Sequence, residues 1–239
     1  MGAEPRPSDA FVLSFLADDP PTDLAFDEFL APAHRDRSEL FWTPVAVAHR
    51  AAHWLAEAGA REVVDVGSGA GKFCVVAALS SPNLRLVGIE HRASLVWAAR
   101  VLAARFGLGR RASFVHTTIE HPRLAMFDAV YLFNPFGENL HAVEGRLDES
   151  VELTPERMRR DVRLVEHVFE KLLIGSRVVT YFGFGGRVPD SFVVEREELA
   201  GSDVLRMWIK RRHASRGRVW RETDGGVELC DARLGEGGT

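Results

Sequence analysis

The stretch REVVDVGSGAGKF, residues 61–73, restricts what this chain can fold into more than any other. Val63, Val64 and Val66 leave no polar face, so the run reads as a short strand buried on both sides. After the acid Asp65 come glycines at every second position, Gly67, Gly69 and Gly71. Glycines so placed let the backbone turn through positive φ and let another group approach where a Cβ would stand. A helix starting near Gly71 points its free N–H groups back at that loop. Two phosphate-binding loops fit less well, the first departing at two positions and the second at one. A P-loop needs glycine at the position of Val66 and a hydroxyl at that of Phe73, and a dinucleotide fingerprint needs a third glycine where Lys72 stands.

The segments around this loop alternate. Strands are predicted at 61–66, 84–89, 112–117, 127–133 and 176–182, separated by helical runs at 71–80, 91–106 and 154–173. Before the first strand, residues 38–59 carry apolar side chains at helical spacing, with Pro44 in a first turn and Gly59 as a stop. Residues 191–199 and 204–211 are joined by too few residues for a crossover helix, so they are expected to pair antiparallel. The expected fold is α/β: a doubly wound, mostly parallel seven-stranded sheet with helices on both faces and an antiparallel edge hairpin. Residues 1–36, proline-rich and acidic, are expected to form an appendage or lid, residues 37–211 the main domain, and residues 212–239 a tail. Within the tail a hairpin is expected around Asp224, Gly225 and Gly226, and the closing GEGGT is expected to fray.

Asp65, Gly67, Ser68, Gly69 and Gly71, with Glu90 closing the second predicted strand, resemble the nucleoside-binding signature of class I S-adenosylmethionine-dependent methyltransferases. The resemblance implies S-adenosylmethionine as cofactor, with the Glu90 carboxylate accepting from both ribose hydroxyls. It puts the adenine near Thr118, which stands where the family commonly has an acid, with the Ile119 N–H and His91 beside the ring or ribose. The fourth predicted strand runs into YLFNPFGENL, and Asn134-Pro135-Phe136 is similar to the N/D/S-P-P-Y/F/W motif of amino-group methyltransferases, without its second proline. It also looks loosely like the segment that non-SET histone lysine methyltransferases place there. These three residues are therefore the expected catalytic segment. Asn134 borders the cofactor and accepts N–H bonds from the attacking amine, and Phe136 offers a flat face. FWTP, residues 41–44, looks like the Thr-Pro segment with which such enzymes hold the methionine carboxylate, giving Thr43 that role; read alone, Thr43 is a helix N-cap. Glu138 is expected at the surface, as is His141, and Tyr181 is expected to line the pocket or to pack.

The implied activity is methyl transfer to a nitrogen of a protein side chain or a small molecule. A nucleobase acceptor, a dinucleotide enzyme and a non-catalytic cofactor-binding module on the same fold are the alternatives. With 239 residues, 46% of them hydrophobic, the chain is long enough for one well-buried core, and its net charge of -4 offers no overall basic footprint for nucleic acid. Two cysteines without CxxC spacing point to a reducing, cytoplasmic setting. The opening MGAEPRPSDA does not read as a secretory signal, Arg6 stands where myristoylation needs a hydroxyl, and no apolar run is long enough to span a bilayer. His49 and His53 stand four apart, but HRAAH lacks the glutamate of a zinc protease and no third ligand is evident, so no metal is expected.

Overall fold

The computed structural model describes residues 6–120, 123–140, 145–213, 218–223 and 226–231. Four short helices open it: α1 (Asp9–Leu16), α2 (Asp23–Asp27), α3 (Pro32–Arg35) and α4 (Ser38–Phe41). The first two start where side chains satisfy free N–H groups, Ser8 accepting from Phe11 and Thr22 from Ala25. The helix predicted across 38–59 is broken. Its first turn is α4, Trp42 and Pro44 are extended, and α5 spans Val45–Glu57. Pro44 rather than Thr43 is the cap residue, and the orphan Val45 N–H donates to Asp23 Oδ1 at 2.9 Å.

The sheet follows with its crossovers: β1 (Glu62–Val66), α6 (Lys72–Ser80), β2 (Arg85–Glu90), α7 (Ala93–Arg105), β3 (Ala112–His116), β4 (Ala129–Phe133), α8 (Pro155–Lys171), β5 (Arg177–Tyr181), β6 (Phe192–Ala200) and β7 (Asp203–Lys210). The strand order is β3-β2-β1-β4-β5-β7-β6; every pairing from β3 to β5 is parallel, and β7 runs antiparallel to both neighbours. The expected α/β sheet with an edge hairpin is borne out. Ala200 pairs with Asp203 across the Gly201-Ser202 turn. Beyond it β8 (Arg218–Thr223) and β9 (Gly226–Asp231) form a separate antiparallel pair, as expected. Asp224 and Gly225 of its turn, GEGGT and His141 lie outside the described residues.

Period-two burial divides the core. Val63, Ala129, Tyr131 and Val179 face the side covered by α5, α6 and α7, whereas Val64, Val66, Leu132 and Val178 face Val165 and Phe169 of α8. The N-terminal helices join the first of these cores: Phe15 and Phe26 are fully buried, and Phe26 stacks on Phe106 with centroids 5.5 Å apart. The Lys210 ammonium, fully buried, donates to the carbonyls of Phe169 and Glu170 and so closes the C-terminal end of α8. Among the described residues no helix is long and apolar enough to cross a membrane.

One ion cluster fastens the N-terminal segment to the glycine loop. Lys72, the first residue of α6, is 2% exposed, and its Nζ stands 2.6 Å from Asp23, 2.7 Å from Asp27 and 2.9 Å from Ser38 Oγ. Removing one partner of a buried cluster strands the others. Lys72→Ala is expected to lose about 3–5 kcal/mol in urea unfolding. Combining Lys72→Met with Asp23→Asn and Asp27→Asn should recover most of that loss.

Candidate functional site

In a sheet ordered this way the crossovers leave β1 and β4 toward opposite sides, which opens a crevice at their carboxyl ends. A cleft lies there, with an empty volume of about 840 Å³ including its open mouth. Of the residues singled out in the sequence, Gly67, Gly69, Glu90, His91, Thr118, Ile119, Asn134, Pro135 and Phe136 border it. Thr43, Asp65 and Ser68 instead share a small inner chamber with Lys72, and Phe41, Trp42, Gly67 and Phe133 stand between the two spaces. Gly71 borders neither and caps α6.

The glycine loop is packed against protein. At Gly67, with φ +74°, a Cβ would stand 3.0 Å from Pro135 Cβ; at Gly69, with φ +53°, it would stand 2.1 Å from the Trp42 ring. The turn therefore requires glycine at both positions. Trp42 is held in place by its Nε1–H, which donates to the His34 carbonyl at 2.9 Å.

Glu90 is 6% exposed at the end of β2. Its Oε2 accepts the Gly69 N–H at 3.0 Å and its Oε1 the Arg92 N–H at 2.9 Å, which leaves one lone pair on each oxygen. Burial pushes its pKa up, and the backbone N–H groups of Arg92, Gly69 and His91 together with the Arg92 charge oppose that rise. Asp65, 3% exposed in the inner chamber, accepts weakly from the Cys74 thiol at 3.5 Å. Burial lifts its pKa to about 7, against the pull of that thiol and with a contribution from the Glu90 charge. Ser68 Oγ is buried with no hydrogen-bond partner among the described residues, and Thr43 Oγ1 lies 3.1 Å from the Tyr131 hydroxyl.

Across the cleft, Asn134 has φ +37°, a conformation that costs a non-glycine residue about 1 kcal/mol or more and is best tolerated by asparagine. Its N–H donates to Gly183 and its carbonyl accepts from Gly137, both at 3.0 Å. Its exposed side chain lies over Gly137, where a Cβ would come within 2.2 Å of Nδ2. Phe136 is buried in the core that contains Ile89 and Ile119, so its face is largely covered. Asn139 donates from Nδ2 to the Phe136 carbonyl at 2.9 Å, and its buried Oδ1 has no partner among the described residues. The Thr118 hydroxyl turns to Glu120, donating at 3.3 Å. Tyr181 packs on Phe133 and donates to the Ala200 carbonyl at 2.7 Å.

Glu138 is not at the surface as expected. It takes Arg92 in a bidentate pair, both contacts 2.9 Å, and Arg92 Nε reaches Asp148 at 2.9 Å. This ion network joins the loops after β2 and β4. His91 lies between two guanidiniums, Nε2 at 3.1 Å from Arg92 and Nδ1 at 3.2 Å from Arg157. Burial first, then those two charges, hold its pKa at about 4, so the ring is neutral at physiological pH. Trp42, Arg92, Asn139 and Arg157 had no role in the sequence reading. A lone aromatic, arginine or asparagine carries no spacing signal, and only the fold brings them to the cleft.

No protein-family model and no curated protein matches the sequence. The structure is similar to an RNA methyltransferase from Salinibacter ruber in complex with S-adenosyl-L-homocysteine, at 22% identity and TM-score 0.51, over 72% of this chain and 95% of that one. It is also similar to the mitomycin 7-O-methyltransferase MmcR, at 16% identity and TM-score 0.52, over 84% of this chain and 60% of that one. A mutant of MtNAS in complex with S-adenosylmethionine matches at 10% identity and TM-score 0.50, over 84% of this chain and 73% of that one. The fold is that of S-adenosylmethionine-dependent methyltransferases.

A raised pKa on Asp65 links stability to pH. The folded state holds the proton where the unfolded chain, at about 3.8, has released it, so this contribution is complete below pH 4 and is lost as pH rises to about 7. Urea unfolding at pH 5 and pH 8 should show the part of that loss falling between pH 5 and 7, at most about 3 kcal/mol. In Asp65→Asn that decline should vanish, leaving the variant more stable than the parent at pH 8.

Proposed function

We propose that the chain is a cytoplasmic S-adenosylmethionine-dependent methyltransferase whose acceptor is a nitrogen of a protein side chain or of a small molecule. The observation that carries the reading is Glu90. It is a buried carboxylate at the end of β2, aligned by two backbone N–H groups, beside a glycine loop at the crevice of a sheet with this strand order. The cavity suits such a cofactor in its unfilled polar groups as well. Asn139 Oδ1 beside the cleft and Ser68 Oγ in the inner chamber are both buried without partners among the described residues. Leaving such groups unpaired costs about 1–3 kcal/mol each, which a polar ligand removes.

In this reading the free lone pairs of Glu90 accept from the ribose hydroxyls, and the Ile119 N–H and Thr118 meet the adenine. Asp65, Ser68 and Thr43 lie behind the edge of Trp42, and the amino-acid end reaches them once that ring turns aside from Gly69. S-adenosylmethionine supplies a methyl group on a cationic sulfur. The chain aligns the acceptor and excludes water. Asn134, fixed in its strained conformation by Gly183 and Gly137, accepts N–H bonds from the acceptor amine and orients its lone pair. Phe136 and Ile119 form an apolar floor that excludes water.

A nucleic-acid acceptor has less support. Arg92 and Arg157 at the cleft are paired with Glu138, Asp148 and Asp161, and so present little free positive charge to phosphates.

Calorimetry with S-adenosylhomocysteine tests the cofactor: Glu90→Ala should weaken binding by about 1–3 kcal/mol. No heat at millimolar ligand would overturn the assignment. Transfer of labelled methyl to amine-bearing peptides and small amines tests the acceptor. There Asn134→Ala should lower turnover by roughly 100-fold while cofactor affinity is kept; an unchanged rate would remove Asn134 from the reaction.

A further inference from the structure

Among residues that line neither the cleft nor the inner chamber, the structure gathers Asp18, His49 and His53, one ligand atom of each lying within 4.8 Å of the others. The two histidines stand one turn apart with ring centroids 4.4 Å apart, and Asp18 arrives from just beyond the end of α1. Asp18 is a non-glycine residue at φ +57°, so its backbone is strained in the conformation that brings its carboxylate 2.8 Å from His49 Nε2.

The hydrogen bonds around His49 show what is missing. His49 is 5% exposed, and its Nδ1 lies 2.8 Å from Ser80 Oγ. The Ser80 hydroxyl donates its single hydrogen to the Val76 carbonyl at 2.9 Å, so toward His49 it accepts, and Nδ1 carries the proton. In neutral imidazole that leaves Nε2 as a bare lone pair facing a carboxylate oxygen. A proton or a metal ion has to stand between them. A proton there would satisfy these two atoms and leave His53 unused, yet His53 Nε2 is also buried with no hydrogen-bond partner among the described residues. A metal ion uses all three.

We propose that Asp18, His49 and His53 bind a divalent transition metal of the zinc class, with water in a fourth position. Two imidazole nitrogens and one carboxylate oxygen are a donor set that such ions take in tetrahedral geometry, where neighbouring donors stand about 3.3 Å apart. With side-chain rotation the 2.8 Å His49–Asp18 separation widens and the longer ones, up to 4.8 Å, shorten to that value, and the Asp18 carboxylate, 81% exposed, gives the ion access. Ser80 supplies the outer hydrogen bond that holds a ligating histidine in one tautomer. The ion pins the end of α1 to α5 and so fastens the N-terminal helices at a second point, away from Lys72. The site is independent of methyl transfer.

The test uses the untagged full chain, stripped with a chelator and titrated with Co²⁺ and then Zn²⁺. One equivalent of Co²⁺ should give the visible absorption of a tetrahedral site, which Zn²⁺ then abolishes. Zinc at 100 times its Kd should raise the unfolding midpoint by about 5–10 °C. His53→Ala removes a nitrogen that has no protein partner, so it should keep the parent's circular dichroism and lose at least tenfold in metal affinity; Asp18→Asn should do the same. Absence of cobalt absorption at millimolar metal overturns the proposal. So does one-equivalent binding that survives in folded His53→Ala, which would place the ion elsewhere.

Discussion

The Lys72 ammonium has almost no access to water, and what surrounds it sets the shape of the whole upper face of the molecule. A charge this deep is tolerated only beside partners, so Asp23 and Asp27 on α2 are drawn onto the start of α6. Asp23 also accepts from the first N–H of α5, which fixes where that helix begins. The intervening chain must then cross the glycine loop, and it does so with Trp42 laid on Gly69. Residues 23–27, expected to belong to an appendage, are thus tied to the start of α6, and Phe41 and Trp42 after them roof the loop and separate an inner chamber from the open cleft.

Electrostatic balance at the cleft follows from the same closeness of parts. Arg92 is matched by Glu138 and Asp148, and Arg157 by Asp161, so these cations are internally compensated. Asp65 has no ion pair among the described contacts, and the Arg92 charge only partly offsets what burial does to Glu90; each acid is raised by burial, and Glu90 adds to the rise at Asp65. Two carboxyl groups held in poorly solvated surroundings favour a ligand that brings positive charge and hydrogen-bond donors. That preference agrees with the proposed cofactor, whose ammonium and sulfonium carry the charge that these acids lack.

Local patterns made the sheet readable in advance. β-branched runs, glycine loops and helical periodicity are properties of ten or so neighbouring residues, and they survive folding because each is satisfied by burial against any apolar surface. Boundaries moved where a long-range contact intervened. The strand predicted from 127 starts at Ala129 because the Asp128 carboxylate turns back to accept the N–H groups of Arg61 and Glu62. The helix predicted from 38 breaks because Trp42 and Pro44 extend to cover the loop. At the site, the residues carried by motifs (Glu90, Gly67, Gly69, Asn134) were visible from spacing, and their geometry was not. Asn134 gave no sign of its positive φ, and Glu138 gave no sign that it would be half-buried in an ion pair with Arg92.

The amino-acid sequence by itself determined the order of strands and helices, the need for glycine after β1 and the acid that ends β2, since these depend on backbone conformation and short-range pattern. Tertiary structure alone decided that β7 lies between β5 and β6, that Trp42 closes over Gly69, that Lys72 is clasped by residues more than thirty positions away, and that Asp18 joins His49 and His53. Each of those depends on the position of groups distant in the chain, and proximity of that kind has no local signature until the hydrophobic core brings the segments together.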